Sequence, residues 1–409
     1  MRILLLVADS LRPDFLGCYN PARRTRTVDL LAADGARFET AVASAPWTVP
    51  AIAAMCTGVS AHRLGLVRWE QPWTADVPTV FSRMRAAGFE TASFVFEPAY
   101  LFFKCSEAAV AGSSQDPAAM RAWFNARGRG GYFAFVHYWW THLPYLPRRF
   151  ELAEWDARCK EMIATLAVQD PWQREKNRAA LRQLYARAVD HFSEEWLPAL
   201  LKAAQPDVLI ITADHGESWG ERMGGAERPA RIFDLHGKHL FNEVLDVPLV
   251  VHAPGLVRPG VVRGVARSID IMPTVLALAG VRGEENAIQG VSLLPAIERG
   301  AAADGPAFFA RNRDFAPGDA LPESVGDAYR EIGCRDARWK VVRDIETGAA
   351  RAYDLAGDPG ELRPFAPNEG PSAELLRALD AEIAHAAAGR IDPRDYAAMR
   401  TQLAQLGYL

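Results

Sequence analysis

Two segments far apart in the chain place acidic residues where a buried strand is expected to end. The first covers residues 4–9, and the second covers residues 208–217. Each begins as a continuous apolar run, which is typical of a strand buried on both faces of a sheet. Ligands of open parallel sheets sit beyond the carboxyl ends of the strands, so Asp9, Asp214 and His215 are expected to converge. Because such groups repel or desolvate one another unless a cation holds them, the pattern predicts a divalent metal site.

A threonine just before a predicted helix is a candidate nucleophile. Thr48 precedes a helical run over residues 50–57, and Pro50 suits the first turn of a helix. Backbone N–H groups and the helix dipole favour an anionic group at such a position. A hydroxyl placed there can attack a phosphoryl or sulfuryl centre if a metal lowers its pKa. The alternative is an ordinary N-cap, which is a common use of threonine.

Two further segments carry imidazole and ammonium groups. His137 and His142 lie at the end of a third apolar strand, where imidazoles near a metal can bind the ion or an oxyanion. His236 and Lys238 lie in a loop over residues 234–241, and their donors would suit a tetrahedral dianion. The alternatives are a structural role for the first pair and a solvated polar loop for the second.

The elements that must position these residues alternate along the chain. Strands alternating with helices predict an α/β protein with a parallel or mostly parallel sheet. Apolar, β-rich runs recur at residues 3–8, 92–96, 132–137, 208–212 and 247–252. Helical patterns lie between them at residues 28–35, 50–57, 77–87 and 117–127.

Composition shifts divide the chain into two predicted units. Residues 1–300 are predicted to form an α/β catalytic domain, in which the charged, periodic residues 148–206 form a helical insertion, interpreted as a cap beside the site. Residues 301–409 are predicted to form a small α+β subdomain. Its elements are a hairpin over residues 338–342 and 351–355 and helices over residues 372–388 and 393–406.

Overall composition excludes several classes of protein. The 409 residues suffice for one large domain and a smaller one. A net charge of −4 with scattered basic residues gives no support for nucleic-acid binding. The five cysteines are dispersed without a C-x-x-C pair, which fits a reducing compartment. No uncharged apolar stretch reaches ~18 residues, so no membrane association is expected and a cytoplasmic location is the default.

Taken in order, these segments resemble the sulfatase family of the alkaline-phosphatase-like superfamily. The resemblance implies a large α/β domain, a smaller C-terminal one, and metal-assisted attack on a sulfate, phosphate or phosphonate ester. The matching segments are residues 7–19, 46–58, 141–145, 213–217, 236–241, 247–250, 268–274, 290–294 and 353–361.

The resemblance also implies a metal-ligand set. Asp9, Asp214 and His215 would bind the ion, and the oxygen of Thr48 would both contact it and act as the nucleophile. Zn, Mn, Mg and Ca all remain open, because an Asp/His set does not identify the ion.

The partner implied by the resemblance is a small anionic ester. His142, together with His236 or Lys238, would contact the oxyanion of this substrate or protonate its leaving group.

The chain departs from the family pattern at the nucleophile. Sulfatases carry a Cys or Ser that is oxidised to formylglycine within Cys-x-Pro-x-Arg, whereas here Thr48 takes that place and Ile52 takes the place of the Arg. Threonine cannot become formylglycine, and a threonine ester has no second hydroxyl to expel sulfate. Water must therefore attack the sulfur or phosphorus, which favours phosphate and phosphonate esters and also permits transfer to an alcohol.

A second departure concerns the metal. Ser10 stands where many members have another Asp, so one carboxylate ligand is missing. A single metal is favoured, and a zinc pair stays open because histidine is plentiful among the matching segments. Three hypotheses follow: a metal-dependent hydrolase, a phosphotransferase to an alcohol acceptor, and a degenerate member that binds an anion without catalysis. The third is motivated by Ser10 and by Ile52.

Overall fold

The described part of the protein is built on a mixed sheet that is parallel through its centre. The order is β4-β3-β5-β1-β6-β8-β2-β7, with β9 beside β2, and the first five strands of this order run parallel. The mostly parallel α/β sheet predicted from the sequence is therefore confirmed. The strands are β1 (Arg2–Ala8), β2 (Ala36–Val42), β3 (Glu90–Val95), β4 (Val110–Ser113), β5 (Tyr132–Tyr138), β6 (Val208–Thr212), β7 (Asp246–Val247), β8 (Leu249–His252) and β9 (Gly260–Arg267).

Helices connect these strands in the computed structural model. It describes residues 1–67, 77–96, 110–128, 130–149, 151–166, 170–221, 235–281, 288–302, 305–314 and 325–387, so the helix predicted over residues 393–406 lies outside it. No helix within those ranges combines the length and apolar character that a membrane crossing requires. The helices are α1 (Arg26–Ala33), α2 (Thr48–Thr57), α3 (Ala61–Leu64), α4 (Val80–Ala86), α5 (Pro117–Arg127), α6 (Leu152–Leu166), α7 (Pro171–His191), α8 (Leu197–Ala204), α9 (Asn242–Leu245), α10 (Ile271–Leu278), α11 (Leu294–Arg299), α12 (Val325–Ala328) and α13 (Gly370–Ala387).

The three central strands, β5, β1 and β6, end at the same level. Val7 lies in register with both His137 and Thr212, and all three side chains are buried. Side chains that share a register row of a parallel sheet point to the same face, and each residue two positions further on returns to that face. Asp9 and Asp214 therefore follow Val7 and Thr212 on one face, just beyond the carboxyl edge.

Helix α2 begins at Thr48, two positions before the predicted run. Its N-cap residue is Trp47, and every residue from Thr48 to Thr57 is buried. The helix ends at Gly58, whose φ of 70° provides a left-handed C-cap. Thr48 is therefore the first helical residue rather than an N-cap, and its hydroxyl is available for another contact.

The predicted helical insertion contacts the loop that follows β1. It contains α6, α7 and α8, with a π-helical turn at Phe192–Trp196 between the last two. The buried hydroxyl of Tyr185, in α7, donates to the carbonyl of Ser10 at 2.8 Å and accepts from the N–H of Arg12 at 2.8 Å. The insertion thus braces the loop that carries Asp9, while its assignment as a cap and the domain boundaries stay predictions.

The C-terminal residues form a second, antiparallel sheet in the order β10-β11-β12-β13. Its last two strands are the predicted hairpin; the first two were not predicted. Helix α13 packs on this sheet, where Leu375 and Leu379 join the apolar core. The strands are β10 (Ala307–Asn312), β11 (Tyr329–Arg335), β12 (Trp339–Asp344) and β13 (Ala350–Asp354).

A buried ion pair within the C-terminal unit binds the segment of the large domain that precedes β7. The ammonium of Lys340 lies 2.6 Å from Oε1 of Glu361, and neither side chain has exposed surface. Lys340 also donates to the carbonyl of Leu240, and Oε2 of Glu361 accepts from the N–H of Asn242 at 2.8 Å. The pair therefore holds the segment that continues from His236 into α9.

We expect Lys340→Met to lower the free energy of unfolding by about 3–5 kcal/mol, because it leaves the Glu361 carboxylate buried without its cation. The matched control is Arg338→Met, which removes an exposed partner of Asp354 and should leave the free energy of unfolding nearly unchanged. Urea unfolding followed by circular dichroism measures both. Equal losses in the two variants would contradict the assignment of the buried pair as the stronger link.

Candidate metal centre and active site

Two carboxylates, Asp9 and Asp214, lie side by side without exposed surface. Oδ1 of Asp9 accepts from the hydroxyl of Ser10 at 2.7 Å, and Oδ1 of Asp214 accepts from the N–H groups of Ser10 at 3.1 Å and His215 at 2.9 Å. Among the described residues, no hydrogen-bond donor reaches either Oδ2. Ser10, whose φ is 57°, thus orients both carboxylates and leaves one oxygen of each for another partner.

The two carboxylates of this pair would repel each other if both were ionised. Burial, and then the negative charge of Asp214, raise the pKa of Asp9 well above its ordinary value. Burial alone would raise the pKa of Asp214 too, but the neighbouring imidazoles of His215 and His137 lower it below its ordinary value. Without a cation the pair therefore favours one ionised and one protonated carboxyl, and two ionised carboxylates require a bound positive charge.

His215 completes a donor set that fits a divalent ion. Its Nδ1 donates to the carbonyl of Gly216 at 2.8 Å, so its Nε2 carries the lone pair. Nε2 lies 3.5 Å from Oδ2 of Asp214, and the ligand atoms of Asp9, Asp214 and His215 lie within 4.8 Å of one another. Ligands held about 2.0–2.2 Å from one ion have separations of about 3–4 Å. The carboxylate oxygens without donors and this imidazole therefore fit a metal.

The predicted nucleophile lies beside the predicted metal ligands. Oγ1 of the buried Thr48 lies 3.2 Å from Nε2 of His215, to which its hydroxyl donates. The same hydroxyl can instead donate to Asp9, and that alternative hydrogen bond would offset part of the rise in the pKa of Asp9. Ile52, at the position of the motif's Arg, is buried in the apolar core, so this part of α2 presents no cation.

His236 is the imidazole best placed to handle a proton. Its ring centroid lies 4.5 Å from that of His215, and its Nδ1 lies 3.0 Å from Oε1 of Glu217. The hydroxyl of Tyr145 donates to Oε2 of the same carboxylate at 2.7 Å. Burial alone would raise the pKa of Glu217, but His236 lowers it below its ordinary value. An ionised carboxylate on Nδ1 stabilises the imidazolium form of His236 and fixes its ring.

His142 stands next in the same row, with its ring centroid 5.0 Å from that of His236. Its Nδ1 donates to the carbonyl of Leu143 at 2.9 Å, and Trp139 stacks on its ring at 4.8 Å. Burial, and then the charge of His236, lower the pKa of His142 to about 3. Near neutral pH, His142 therefore presents the lone pair of Nε2 rather than a proton.

Lys238, the predicted alternative to His236, points elsewhere. Its side chain is 42% exposed and forms a salt bridge with Asp314. The geometry therefore favours His236 over Lys238 as the substrate-facing group of this loop.

Two residues next to the site are not in the predicted ligand or catalytic set, although the sequence left His137 open between metal binding and a structural role. Nε2 of the buried His137 lies 3.4 Å from Oδ2 of Asp9 and 3.7 Å from Oδ2 of Asp214. Glu217 holds His236. The sequence signals were a histidine near the end of an otherwise apolar strand and an acid three residues after Asp214; core packing explains such residues equally well.

Family models match most of the chain. The model described as Sulfatase matches residues 2–115 and 119–281. A second model, described as the C-terminal part of N-sulphoglucosamine sulphohydrolase, matches residues 231–388.

Curated relatives are distant and longer. A low-salt glycan biosynthesis sulfotransferase of Haloferax volcanii is 25% identical over 291 residues, which are 68% of this chain and 60% of that protein. Arylsulfatase K of Gallus gallus is 28% identical over 159 residues, 38% of this chain and 27% of that protein. The chain thus spans 60% or less of these two relatives.

Solved structures share the fold over nearly the whole chain. One, bound to its substrate D-glucosamine-2-N,6-O-disulfate, has a TM-score of 0.68 at 18% identity and covers 96% of this chain and 99% of that one. The phosphonate monoester hydrolase of Agrobacterium radiobacter has a TM-score of 0.67 at 22% identity, and the match covers 94% of this chain and 95% of that one. At these identities the likeness shows the fold alone.

We expect Asp9→Asn to stabilise the metal-free protein slightly near neutral pH, because folding then no longer requires protonation of a buried carboxyl whose pKa is raised. With a saturating divalent ion the order should reverse, since only the native protein gains ligand stabilisation, about 2.7 kcal/mol at 100 times Kd. Thermal unfolding with EDTA and with Zn²⁺ or Mn²⁺ measures both. The control is Asp270→Asn, which breaks the salt bridge to Arg267 and should destabilise in both conditions. A variant that is stabilised by metal as strongly as the native protein would contradict Asp9 as a ligand.

Proposed function

Because the chain belongs to the sulfatase family of the alkaline-phosphatase-like superfamily, we propose that it is a metal-dependent hydrolase of small sulfate, phosphate or phosphonate esters, with Thr48 as nucleophile. The observation that carries this proposal is the 3.2 Å separation between Oγ1 of Thr48 and Nε2 of His215, beside two buried carboxylates. A buried hydroxyl at that point, at the start of a helix, is placed to attack an anionic centre.

Asp9, Asp214 and His215 would hold the metal, with the Thr48 oxygen beside it. A divalent ion there lowers the pKa of the threonine hydroxyl and offsets charge on the substrate oxygens. The N–H groups in the first turn of α2 add partial positive charge toward the same point.

The chain's own groups account for the bond changes. Thr48 Oγ1 loses its proton to solvent and bonds to the sulfur or phosphorus, while the bond to the leaving-group oxygen breaks. The imidazolium of His236, stabilised by Glu217, gives its proton to that oxygen. Water then attacks the same sulfur or phosphorus and loses a proton to neutral His236. The bond to Thr48 breaks, and the threonine oxygen regains a proton from solvent.

Phosphate and phosphonate esters are the favoured substrates within this proposal. A formylglycine hydrate releases sulfate with its second hydroxyl, whereas a threonine ester can be cleared only by attack at the central atom. In-line displacement of that kind is established chemistry for phosphoryl groups at metal sites. One neighbouring structure is that of a phosphonate monoester hydrolase, which supports the choice as an analogy of fold.

A second candidate function is transfer to an alcohol. An acceptor hydroxyl can replace water in the second displacement, and the Haloferax volcanii relative is named a sulfotransferase. Product analysis with added glycerol separates the two: a glycerol ester indicates transfer, and free phosphate, phosphonate or sulfate indicates hydrolysis.

We expect Thr48→Ala to lose about 10³-fold or more in turnover, because it removes the nucleophile while leaving the ligands in place. Turnover is measured on aryl sulfates, phosphates, phosphodiesters and phosphonates with Zn²⁺, Mn²⁺, Mg²⁺ and Ca²⁺ in turn. The matched control is Thr57→Ala at the other end of α2, where the hydroxyl donates to the carbonyl of Ala53 and accepts from the N–H of Val59; its turnover should stay near native.

Turnover retained by Thr48→Ala would exclude Thr48 as the nucleophile. A native protein that binds metal but turns over none of these esters, with or without glycerol, would favour the degenerate anion-binding member.

A further inference from the structure

His137 is a buried imidazole aimed at the predicted metal position, and the mechanism above does not use it. It lies in the register row of Val7 and Thr212, one row below Asp9 and Asp214 on the same face. Its side chain has no exposed surface. It therefore lies beneath the two carboxylates, one row further into the sheet.

The two closest carboxylate atoms are those that lack donors. Nε2 of His137 lies 3.4 Å from Oδ2 of Asp9 and 3.7 Å from Oδ2 of Asp214. His215 approaches the second of these oxygens at a similar 3.5 Å. Separations of about 3–4 Å are long for N–H···O hydrogen bonds and ordinary for atoms that share one ion.

We propose that His137 is a fourth side-chain ligand of the metal, in place of the carboxylate that the family pattern puts at Ser10. This inference rests on the metal site of the proposed function. Ser10 is not available for that role, because its hydroxyl and its N–H donate to Oδ1 of Asp9 and Oδ1 of Asp214. Those two hydrogen bonds instead direct both Oδ2 atoms toward His137.

The resulting set of two carboxylates and two imidazoles selects the ion. Ca²⁺ and Mg²⁺ prefer sites built from oxygen ligands, and Ca²⁺ takes six to eight of them. Imidazole nitrogens suit Zn²⁺ and its transition-metal neighbours, and two carboxylates neutralise a divalent charge. His137 thus shifts the site toward Zn²⁺ and away from Ca²⁺.

The decisive variant is His137→Gln in the full chain. A glutamine amide keeps an N–H donor near Oδ2 of Asp9 but is a poor Zn²⁺ ligand, so a purely hydrogen-bonding role would survive it. We expect Zn²⁺ affinity, measured against a competing chelator, to fall about 10–100-fold or more. Ca²⁺ affinity should change less, and the visible spectrum of the Co²⁺ form should change in shape and intensity.

His252→Gln is the matched control. This histidine lies on β8 in the same sheet but pairs with Asp34 at the surface, so both metal affinities should stay native. Circular dichroism and thermal unfolding of the metal-free variants check the fold.

If His137→Gln keeps native Zn²⁺ affinity and a native Co²⁺ spectrum, His137 is not a ligand, while the proposed function stands. If the native protein binds neither Zn²⁺ nor Co²⁺, this inference and the metal dependence of the proposed function fail together. Should the variant not fold, paramagnetic proton NMR of the native Co²⁺ protein decides the matter. Two exchangeable Nδ1–H signals from bound imidazoles are expected, and a single one overturns the proposal.

Discussion

The repulsion between two buried carboxylates is the constraint on which the rest of this structure depends. Asp9 and Asp214 are held side by side in a medium that disfavours even one ionised group. Their neighbours are arranged to keep them there: Ser10 donates to both, and His137 and His215 approach their remaining oxygens. A protein selected only for stability would replace one of these acids, so their presence argues for a cation.

The parallel sheet makes this convergence possible between segments that are distant in sequence. Strands β5, β1 and β6 share a register, so one row of side chains near their carboxyl ends becomes a single surface. The connections then bring the reactive groups over that surface. Helix α2 carries Thr48, and the segment after β6 carries Glu217 and His236. The buried pair of Lys340 and Glu361 ties the latter segment to the second sheet, so the C-terminal unit contributes to the geometry of the site.

Continuous apolar runs made the central strands and the convergence of Asp9 and Asp214 predictable, and α5 begins and ends where its pattern predicted. Strands β2 and β9 were missed because their residues alternate between buried and exposed and include charged side chains, so no apolar run marks them. The sequence left His137 open between metal binding and packing, since a buried histidine looks the same in sequence in either case. Its importance depends on register with β1 and β6, and register is a property of the folded sheet.

The complete burial of the four inner side chains has a kinetic consequence. Asp9, His137, Asp214 and His215 expose no surface, and the loop after β1 is locked to α7 through the hydroxyl of Tyr185. An ion bound among such groups would exchange only when this part of the fold opens locally. Its residence time would therefore depend on the frequency of that opening as well as on the affinity of the site for the ion. Exchange of one ion for another would then be slow compared with exchange at an exposed site, because each exchange would wait for this local opening.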